Sequence, residues 1–209
     1  LQKGHIVIWT TTPWTIPVNR ALAYNGKIKY SVIQMGNDIE NFKNKNIVMA
    51  SELVKRVSED CNFKDFKILE EFDGKDLKNT ICSHPFKSMG YNYDVPMLEG
   101  NFVTLEQGTG IVHSAPSHGP DDFNLCLKHG IKASNTMNDA GIYSDEIPFF
   151  SGTHIFKADR QVIEKLSEHK NLLSSGKLQH SFPHSWRSKA PLVYRATSQW
   201  FISMEKNNL

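Results

Sequence analysis

The chain has 209 residues and a mass of 23.8 kDa, the size of one large domain or of a domain with an appendage. A hydrophobic fraction of 39% and a charged fraction of 22% exclude a disordered or fibrous protein. The formal net charge of +2 excludes a polycationic nucleic-acid coat but permits local contact with one nucleic-acid end. No apolar run approaches the roughly 20 residues that span a bilayer, so we expect no membrane association.

The cysteines indicate a reducing environment. Cys61, Cys82 and Cys126 are isolated from one another and odd in number, and no C-x-x-C pair offers a zinc knuckle. The first residues show no signal-peptide pattern. We therefore expect free thiols and a cytoplasmic location.

The N-terminal half is predicted to be rich in strands. Ser51 is placed to cap a helix that carries Leu53, Val54 and Val57. Residues 62–96 are expected to form short strands and turns. Short apolar and β-branched runs predict further strands at residues 5–9, Lys29–Met35 and Asn46–Ala50.

The next part of the chain combines strands with two helices. Residues 101–105 and 110–113 are strand candidates separated by a turn. Pro120 suits a first helical position, because its missing N–H would have no partner there, and Gly130 suits the end of that helix. We expect this helix to bury Phe123, Leu127 and Cys126. A loop over residues 135–148 precedes a helix at about residues 157–170, which shows Val162, Ile163 and Leu166 at helical spacing.

Strands outnumber helices and do not alternate strictly with them. This order predicts an α+β fold with a curled, mostly antiparallel sheet and peripheral helices. From Gln179 onward the composition becomes basic and aromatic, and the pattern is strand-like. We therefore predict a domain at residues 1–178, followed by a distinct segment at residues 179–209.

A threonine-rich turn is the first candidate site. Thr10, Thr11, Thr12 and Thr15 lie within six positions, on a turn that prolines make rigid. Hydroxyl groups both donate and accept hydrogen bonds, so the cluster could hold a water, a ribose hydroxyl or an ester carbonyl. Threonine also suits strand ends and helix caps, so the cluster has a purely structural interpretation as well.

The second candidate site is the segment from Gly108 to Phe123. Its glycines allow a sharp turn or a close backbone approach. Of the adjacent acids at the helix start, we expect Asp121 to face solvent and Asp122 to face inward. A buried carboxylate is costly without a cationic partner, and none lies nearby in sequence, so a ligand ammonium could fill that role.

Two other chemistries fit the residue types less well. Ser114 or Ser117 with His113 or His118 would suit a hydrolase triad, but no G-x-S-x-G elbow is present. The pairs His113/His118 and His180/His184 invite a metal, but neither has a convincing third ligand. We therefore expect no metal and no cofactor.

Three segments together resemble the editing domain of class I aminoacyl-tRNA synthetases, in the branch that handles isoleucine, valine and leucine. The isoleucine branch is the most similar, because the valine and leucine branches lack a His at position 113. The resemblance extends over nearly the whole chain and implies a β-barrel-like form of the α+β fold. Its segments are residues 9–23 (WTTTPWTIPVNRALA), 108–123 (GTGIVHSAPSHGPDDF) and 180–204 (HSFPHSWRSKAPLVYRATSQWFISM).

The resemblance implies hydrolysis of valyl-tRNA(Ile), and possible action on valyl-adenylate, by water attack on the ester. It assigns Asp122 to the substrate ammonium and His113 to the wall beside the substrate side chain. Thr11 and Thr12 would place the water, and the remaining residues implied to bind substrate are Thr10, Trp14, Thr15 and Asn19. Two alternatives stay open: a module that binds the CCA end without hydrolysis, and a general esterase that uses His113 or His118.

The resemblance also sets expectations about partners. The family's His-Ile-Gly-His and Lys-Met-Ser-Lys-Ser signatures are absent, so we expect an editing module without ligase activity. ATP and isoleucine would then bind only the full-length parent enzyme, whereas the module would bind the acceptor end of tRNA(Ile) as a monomer. Ser185 and Ser188 stand where many relatives carry cysteines, which argues against zinc in this segment.

Overall fold

The computed structural model describes residues 4–179, 181–200 and 202–204. Within these ranges, eight strands form two four-stranded sheets, and three α-helices accompany them. The strands are β1 (Gly4–Ile6), β2 (Ala21–Tyr24), β3 (Lys29–Met35), β4 (Asn46–Ala50), β5 (Phe66–Asp73), β6 (Ile81–Ser83), β7 (Asp94–Glu99) and β8 (Val112–Ser114). The helices are α1 (Val54–Asp60), α2 (Pro120–Lys128) and α3 (Ile155–Glu168).

The first sheet has the strand order β1-β4-β3-β5. Strand β1 runs parallel to β4, and the other neighbours are antiparallel. Tyr30 and Ala50 are register partners on β3 and β4, and both are fully buried. Both strands have the predicted bounds, because their β-branched and apolar side chains build the largest core cluster.

The second sheet has the order β6-β7-β2-β8 and carries part of the candidate site. Every residue of β2 is buried, since the strand lies between β7 and β8. It pairs with β7 in parallel and with β8 in antiparallel orientation. Leu22 on β2 is the register partner of His113, so the position of His113 is fixed by a central strand.

The predicted α+β class, with mostly antiparallel pairing, is confirmed. The strands of the described residues form two sheets and no closed barrel, so a barrel describes them only loosely. Some local predictions were wrong. Strand β1 ends at Ile6, and residues 101–105 form a turn and irregular backbone, because β7 and β8 already occupy both edges of β2. The Ser51 hydroxyl pairs with the Ser31 hydroxyl at 2.8 Å instead of capping a helix.

Helix α2 begins at Pro120 and is followed by Gly130 with a φ of +76°, as predicted. Its buried face was predicted incorrectly. Leu125 and Cys126 are buried, whereas Phe123 and Leu127 are exposed by 40% and 56%. The reason is that α2 packs against the small side chains of β2 through residues 125 and 126. Asp122 precedes these residues by three and four positions and therefore shares their inward face.

Helix α3 packs on a 3-10 helix (Pro13–Val18), which follows the threonine-rich turn. It starts at Ile155, two residues before the predicted position, and the His154 side chain accepts a hydrogen bond from the N–H of Phe156 at its start. Val162 and Leu166 are buried, as the helical spacing predicts. Among the described helices, none combines the length and the hydropathy that a bilayer span requires.

The described part of the C-terminal segment contains no sheet strand, and its one isolated bridge joins His184 to Pro191. The strand prediction there was wrong, because no sheet edge is paired with these residues. The segment is attached near the candidate site. The N–H of Ala196 donates to the Ser117 carbonyl at 2.9 Å, and Arg195 lies 2.7 Å from the Asp139 carboxylate. His180 lies outside the described residues.

Candidate functional site

A cleft with a volume of about 280 Å³ lies where both sequence motifs meet. The threonine-rich turn forms one wall, the glycine-containing segment before β8 forms another, and Asp122 projects from the first turn of α2. The lining residues are Trp9, Thr10, Thr11, Phe102, Thr104, Gln107, Gly108, Thr109, Gly110, Ile111, Val112, His113 and Asp122.

The threonine hydroxyls divide into an exposed part and a hydrogen-bonded part. Thr11 is exposed at the cleft and makes no hydrogen bond within the described chain. The Thr10 hydroxyl lies 3.3 Å from that of Thr12 and accepts a hydrogen bond from the Thr12 N–H at 3.1 Å. Thr15 is buried, and its hydroxyl donates to the Thr12 carbonyl at 2.8 Å. The turn therefore presents Thr10 and Thr11 to the cleft and uses Thr12 and Thr15 to stiffen itself.

His113 forms a buried part of the cleft wall, with 9% of its surface exposed. Its Nε2 lies 2.9 Å from the Thr15 hydroxyl. Burial, with a smaller effect of nearby His118, lowers the pKa of His113 to about 4. The ring is therefore neutral at physiological pH.

Asp122 is half-buried, whereas its neighbour Asp121 is exposed. Its Oδ2 accepts a hydrogen bond from the Ala115 N–H at 3.0 Å. Burial raises the pKa of Asp122 to about 6, and the Ala115 hydrogen bond opposes the rise. Among the described residues Asp122 forms no ion pair. A cation bound in the cleft would therefore meet a carboxylate that no charged side chain of the described residues already neutralises.

The structure gathers four of the predicted site residues in the cleft: Thr10, Thr11, His113 and Asp122. Thr12 and Thr15 lie behind it in the hydrogen-bonded turn.

Trp14 and Asn19 lie outside the cleft lining. The Trp14 ring packs edge-on against His118 at 4.9 Å and belongs to the second core cluster. The Asn19 N–H donates to the Ile16 carbonyl at 3.1 Å and thereby closes the 3-10 helix. Both residues belong to the 3-10 helix or its C-terminal cap, adjacent to the threonine-rich turn, and neither lines the cleft.

Several lining residues were not predicted. Trp9 is the first residue of the threonine-rich segment and Gln107 directly precedes the second segment, so their position in sequence was a usable signal. Phe102 and Thr104 lie in a turn region that was taken for a strand, and no sequence pattern marks them.

The described histidines and serines do not assemble a triad or a metal site. The Nδ1 of His118 lies 2.9 Å from the Tyr194 carbonyl, and its Nε2 lies 2.8 Å from the Thr136 hydroxyl, so both ring nitrogens are occupied. The Ser117 hydroxyl donates to the Ser134 carbonyl at 2.7 Å. Within the described ranges, no three His, Cys, Asp or Glu side chains converge as metal ligands.

The sequence of the chain is similar to segments of known enzymes. The isoleucine–tRNA ligase of Pelagibacter ubique (strain HTCC1062) is 62% identical over 209 residues, which make up 100% of this chain and 23% of that enzyme. That of Gluconobacter oxydans (strain 621H) is 44% identical over 213 residues, which cover 95% of this chain and 22% of the enzyme. The chain is homologous to a segment of isoleucine–tRNA ligases. The resemblance drawn from the three motifs is therefore confirmed, and the chain spans less than a quarter of the length of these relatives.

A solved structure described as GlLeuRS-CP1 shares the fold. It superimposes with a TM-score of 0.65 over 86% of this chain and 87% of that chain. Because the sequence identity is 14%, this likeness concerns the fold alone. No protein-family model matches the chain.

Proposed function

We propose that the chain is the editing module of an isoleucyl-tRNA synthetase and hydrolyses the ester of valyl-tRNA(Ile). One methylene is worth only about 1–3 kcal/mol of binding, a limit established for isoleucine against valine in this same enzyme family. A second site that accepts valine and rejects isoleucine corrects the remaining errors. The same cleft would act on valyl-adenylate, whose aminoacyl group is identical.

The observation that carries this proposal is the carboxylate of Asp122 at the cleft, which forms no ion pair among the described residues. The α-ammonium of an aminoacyl ester loses water when it enters a small cleft, so it needs a charged hydrogen-bond partner. Asp122 satisfies this need from a rigid helix start. Asp121 is exposed and does not line the cleft, so it is not placed to do this.

The threonine turn supplies the polar contacts that the terminal adenosine and a water require. The Thr10 and Thr11 hydroxyls line the cleft, and Thr12 holds Thr10 in place at 3.3 Å. A hydroxyl accepts from water and donates to a ribose oxygen at the same time. We infer that Thr11 and Thr12, directly and through Thr10, position the attacking water, while Trp14 and Asn19 act from behind the turn.

His113 supplies the size limit in this proposal. Its neutral ring is buried in the cleft wall and is held by the Thr15 hydroxyl, so it presents a fixed surface. The space that valine occupies would not accept the extra methylene of isoleucine against a wall that cannot yield.

The proposed reaction needs neither a protein nucleophile nor a metal. An aminoacyl ester is activated by its own ammonium and by the adjacent ribose hydroxyl, so positioning and electrostatics suffice. The occupied ring nitrogens of His118 support this view. We propose tRNA(Ile) and the mischarged valine as partners of a monomeric module in the cytoplasm; ATP and isoleucine belong to the parent enzyme.

The test is deacylation of valyl-tRNA(Ile) and isoleucyl-tRNA(Ile) by the purified chain, with valyl-adenosine as a minimal substrate. We expect hydrolysis of both valyl esters and resistance of the isoleucyl ester. Binding without hydrolysis would instead support a module that only holds the CCA end. Covalent trapping by a serine-directed phosphonate would favour a general esterase, although Ser117 is engaged with a carbonyl and no described serine pairs with His113 or His118.

A further inference from the structure

The peptide groups that line the cleft between Gln107 and Ile111 share one orientation. The carbonyl groups of residues 106, 108, 109 and 110 accept hydrogen bonds from side chains or backbone of the first sheet and of α1. Arg56 donates through Nη1 to the Glu106 carbonyl at 2.7 Å and through Nη2 to the Gly108 carbonyl at 3.4 Å. The Ala50 N–H donates to the Thr109 carbonyl at 2.9 Å, and the Tyr30 hydroxyl donates to the Gly110 carbonyl at 2.8 Å.

The three donor residues belong to the first sheet and to α1. Tyr30 and Ala50 are register partners on β3 and β4, and Arg56 follows on α1. None of them lines the cleft, whereas residues 107–111 do. The carbonyl oxygens are therefore drawn away from the cleft.

A trans peptide group holds its N–H opposite its carbonyl, and the chain has no cis peptide bond among the described residues. The N–H groups of Gln107, Thr109, Gly110 and Ile111 belong to the four peptides whose carbonyls face away. These N–H groups consequently point to the cleft side. In the part of the chain that the structure describes, they donate to no protein acceptor.

The glycines make this arrangement sterically accessible. An extended strand would alternate its carbonyls between the two sides. Gly108 and Gly110 both have a φ of +73°, which breaks that alternation. A Cβ on Gly110 would also lie 2.4 Å from the Ala50 Cβ. Successive N–H groups that converge in such a turn form an anion-binding concavity.

We propose that the backbone amides of residues 107–111 form an oxyanion hole for the ester carbonyl of the substrate, and that Arg56 is the positioning residue that orients and polarises them. This inference rests on the proposed function. The water oxygen bonds to the carbonyl carbon while the C=O electron pair moves to the carbonyl oxygen. The oxyanion then re-forms the C=O bond, the bond to the ribose oxygen breaks, and a proton from the water passes to that oxygen.

The opposite polarity of the two walls fits this intermediate. The tetrahedral adduct carries an ammonium and an oxyanion on adjacent carbons, and the cleft offers the Asp122 carboxylate and a row of N–H groups. The Arg56 guanidinium strengthens the N–H dipoles through the peptide carbonyls it binds, without touching the substrate. Charge that develops only in the transition state is what such preorganised donors stabilise.

The test compares two adenosine probes by calorimetry. One carries valine through an amide and has a planar, neutral carbonyl; the other carries the valine phosphonate, whose tetrahedral phosphorus bears an anionic oxygen. We expect the wild-type chain to bind the phosphonate at least ~10-fold more tightly. Arg56→Met should reduce that preference about tenfold with little change in amide binding, and should lower kcat more than it raises KM.

Lys55→Met is the matched control, because Lys55 is the exposed neighbour of Arg56 on the same helix. A second variant carries the α-hydroxy acid of threonine at Thr109, which removes one N–H and keeps the side chain; it should lose the phosphonate preference as Arg56→Met does. If Arg56→Met binds the amide and the phosphonate more weakly by the same factor, Arg56 only holds the loop in place, and the inference is overturned. Amide binding by the wild type without any phosphonate preference would also overturn it while leaving the proposed function standing. If neither probe binds the wild type, the proposed function itself fails.

Discussion

The Nε2 of His113 lies 2.9 Å from the hydroxyl of Thr15, and this contact defines the tautomer of the imidazole. The single hydroxyl proton of Thr15 is donated to the Thr12 carbonyl at 2.8 Å. Thr15 can therefore only accept from His113, so Nε2 carries the proton and Nδ1 is bare. Nδ1 is buried and has no hydrogen-bond partner in the described chain. The pKa of about 4 follows from this environment, because a charged ring would have to bury a second N–H without an acceptor.

Removing the Thr15 hydroxyl should weaken selectivity without removing the wall. Thr15→Val keeps the shape but leaves the His113 N–H without an acceptor, which costs about 1–3 kcal/mol and frees the ring to reorient. We expect the ratio of valyl to isoleucyl ester hydrolysis to fall at least ~5-fold. Thr15→Ser keeps the hydroxyl and should retain most of the ratio. If Thr15→Val and Thr15→Ser show similar ratios of valyl to isoleucyl ester hydrolysis, the hydrogen bond to His113 does not contribute to selectivity.

His113→Ala should admit the isoleucyl ester. An added methylene gains only about 0.8 kcal/mol from burial, so rejection of isoleucine must be steric. We expect the variant to hydrolyse isoleucyl-tRNA(Ile) and to cleave the valyl ester more slowly, because valine would be held less firmly. The measurement is the ratio of the two deacylation rates. An unchanged ratio would show that His113 does not face the substrate side chain.

Much of the fold was predictable because local pattern and tertiary environment agree. Strands β3 and β4 have the predicted bounds, since their apolar side chains are buried on both faces. The failures lie where partners distant in sequence decide. Residues 101–105 have strand-like composition but no free sheet edge beside them, and Phe123 has an apolar side chain on the outer face of α2.

The site was predictable to the extent that its side chains carry the chemistry. Asp122 stood out because an inward acid at a helix start lacked a cation, and the structure leaves it without an ion pair in the described ranges. Backbone roles were not predictable. The N–H groups of residues 107–111 and the reach of Arg56 over about 50 residues to the Glu106 carbonyl depend on tertiary packing, which residue types do not reveal.

Deacylation should not depend on a metal ion. Both ring nitrogens of His118 are engaged by protein groups, and Ser185 and Ser188 offer no thiolate. We expect valyl-tRNA(Ile) hydrolysis to change less than ~2-fold in excess EDTA, which chelates zinc. The control is an EDTA-treated sample to which zinc is returned. Lost activity that zinc restores would refute the proposal of metal-free hydrolysis.

The two neighbouring acids should behave very differently when replaced. Asp122→Ala removes the partner of the substrate ammonium, a loss of about 2–5 kcal/mol, or roughly 30-fold to several thousand-fold in rate. Asp121→Ala is the matched control, because it changes only the exposed acid at the helix start, worth about 0.3–1 kcal/mol of stability. Deacylation rates and thermal melts of both variants provide the comparison. An inactive Asp121→Ala with an active Asp122→Ala would reverse the assignment, and full activity of both would refute ammonium binding here.

Asp122 should also set the acidic limit of activity and lower stability at neutral pH. Because the pKa of Asp122 in the folded protein is raised to about 6, kcat/KM for valyl-adenosine should fall about fivefold from pH 6 to pH 5, as the carboxylate needed for the ammonium is protonated. His113 contributes little there, since it is mostly neutral above a pKa of about 4.

The raised pKa of Asp122 also affects stability. A raised carboxyl pKa favours the folded state when protonated, so its stabilising effect is present below the unfolded value and is lost as the pH rises through 6. The side chain of Asp122→Asn can still accept a hydrogen bond from the Ala115 N–H. At pH 7 the free energy of unfolding of this variant should therefore exceed that of the wild type by about 1–2 kcal/mol, after allowance for the partial exposure of residue 122. At pH 3.5 denaturant should unfold the variant and the wild type at nearly the same concentration. If Asp122→Asn is inactive but no more stable than the wild type at pH 7, the carboxylate binds the ammonium but burial does not destabilise its charged form. If the variant is active and its kcat/KM still falls between pH 6 and pH 5, another group is responsible for that fall.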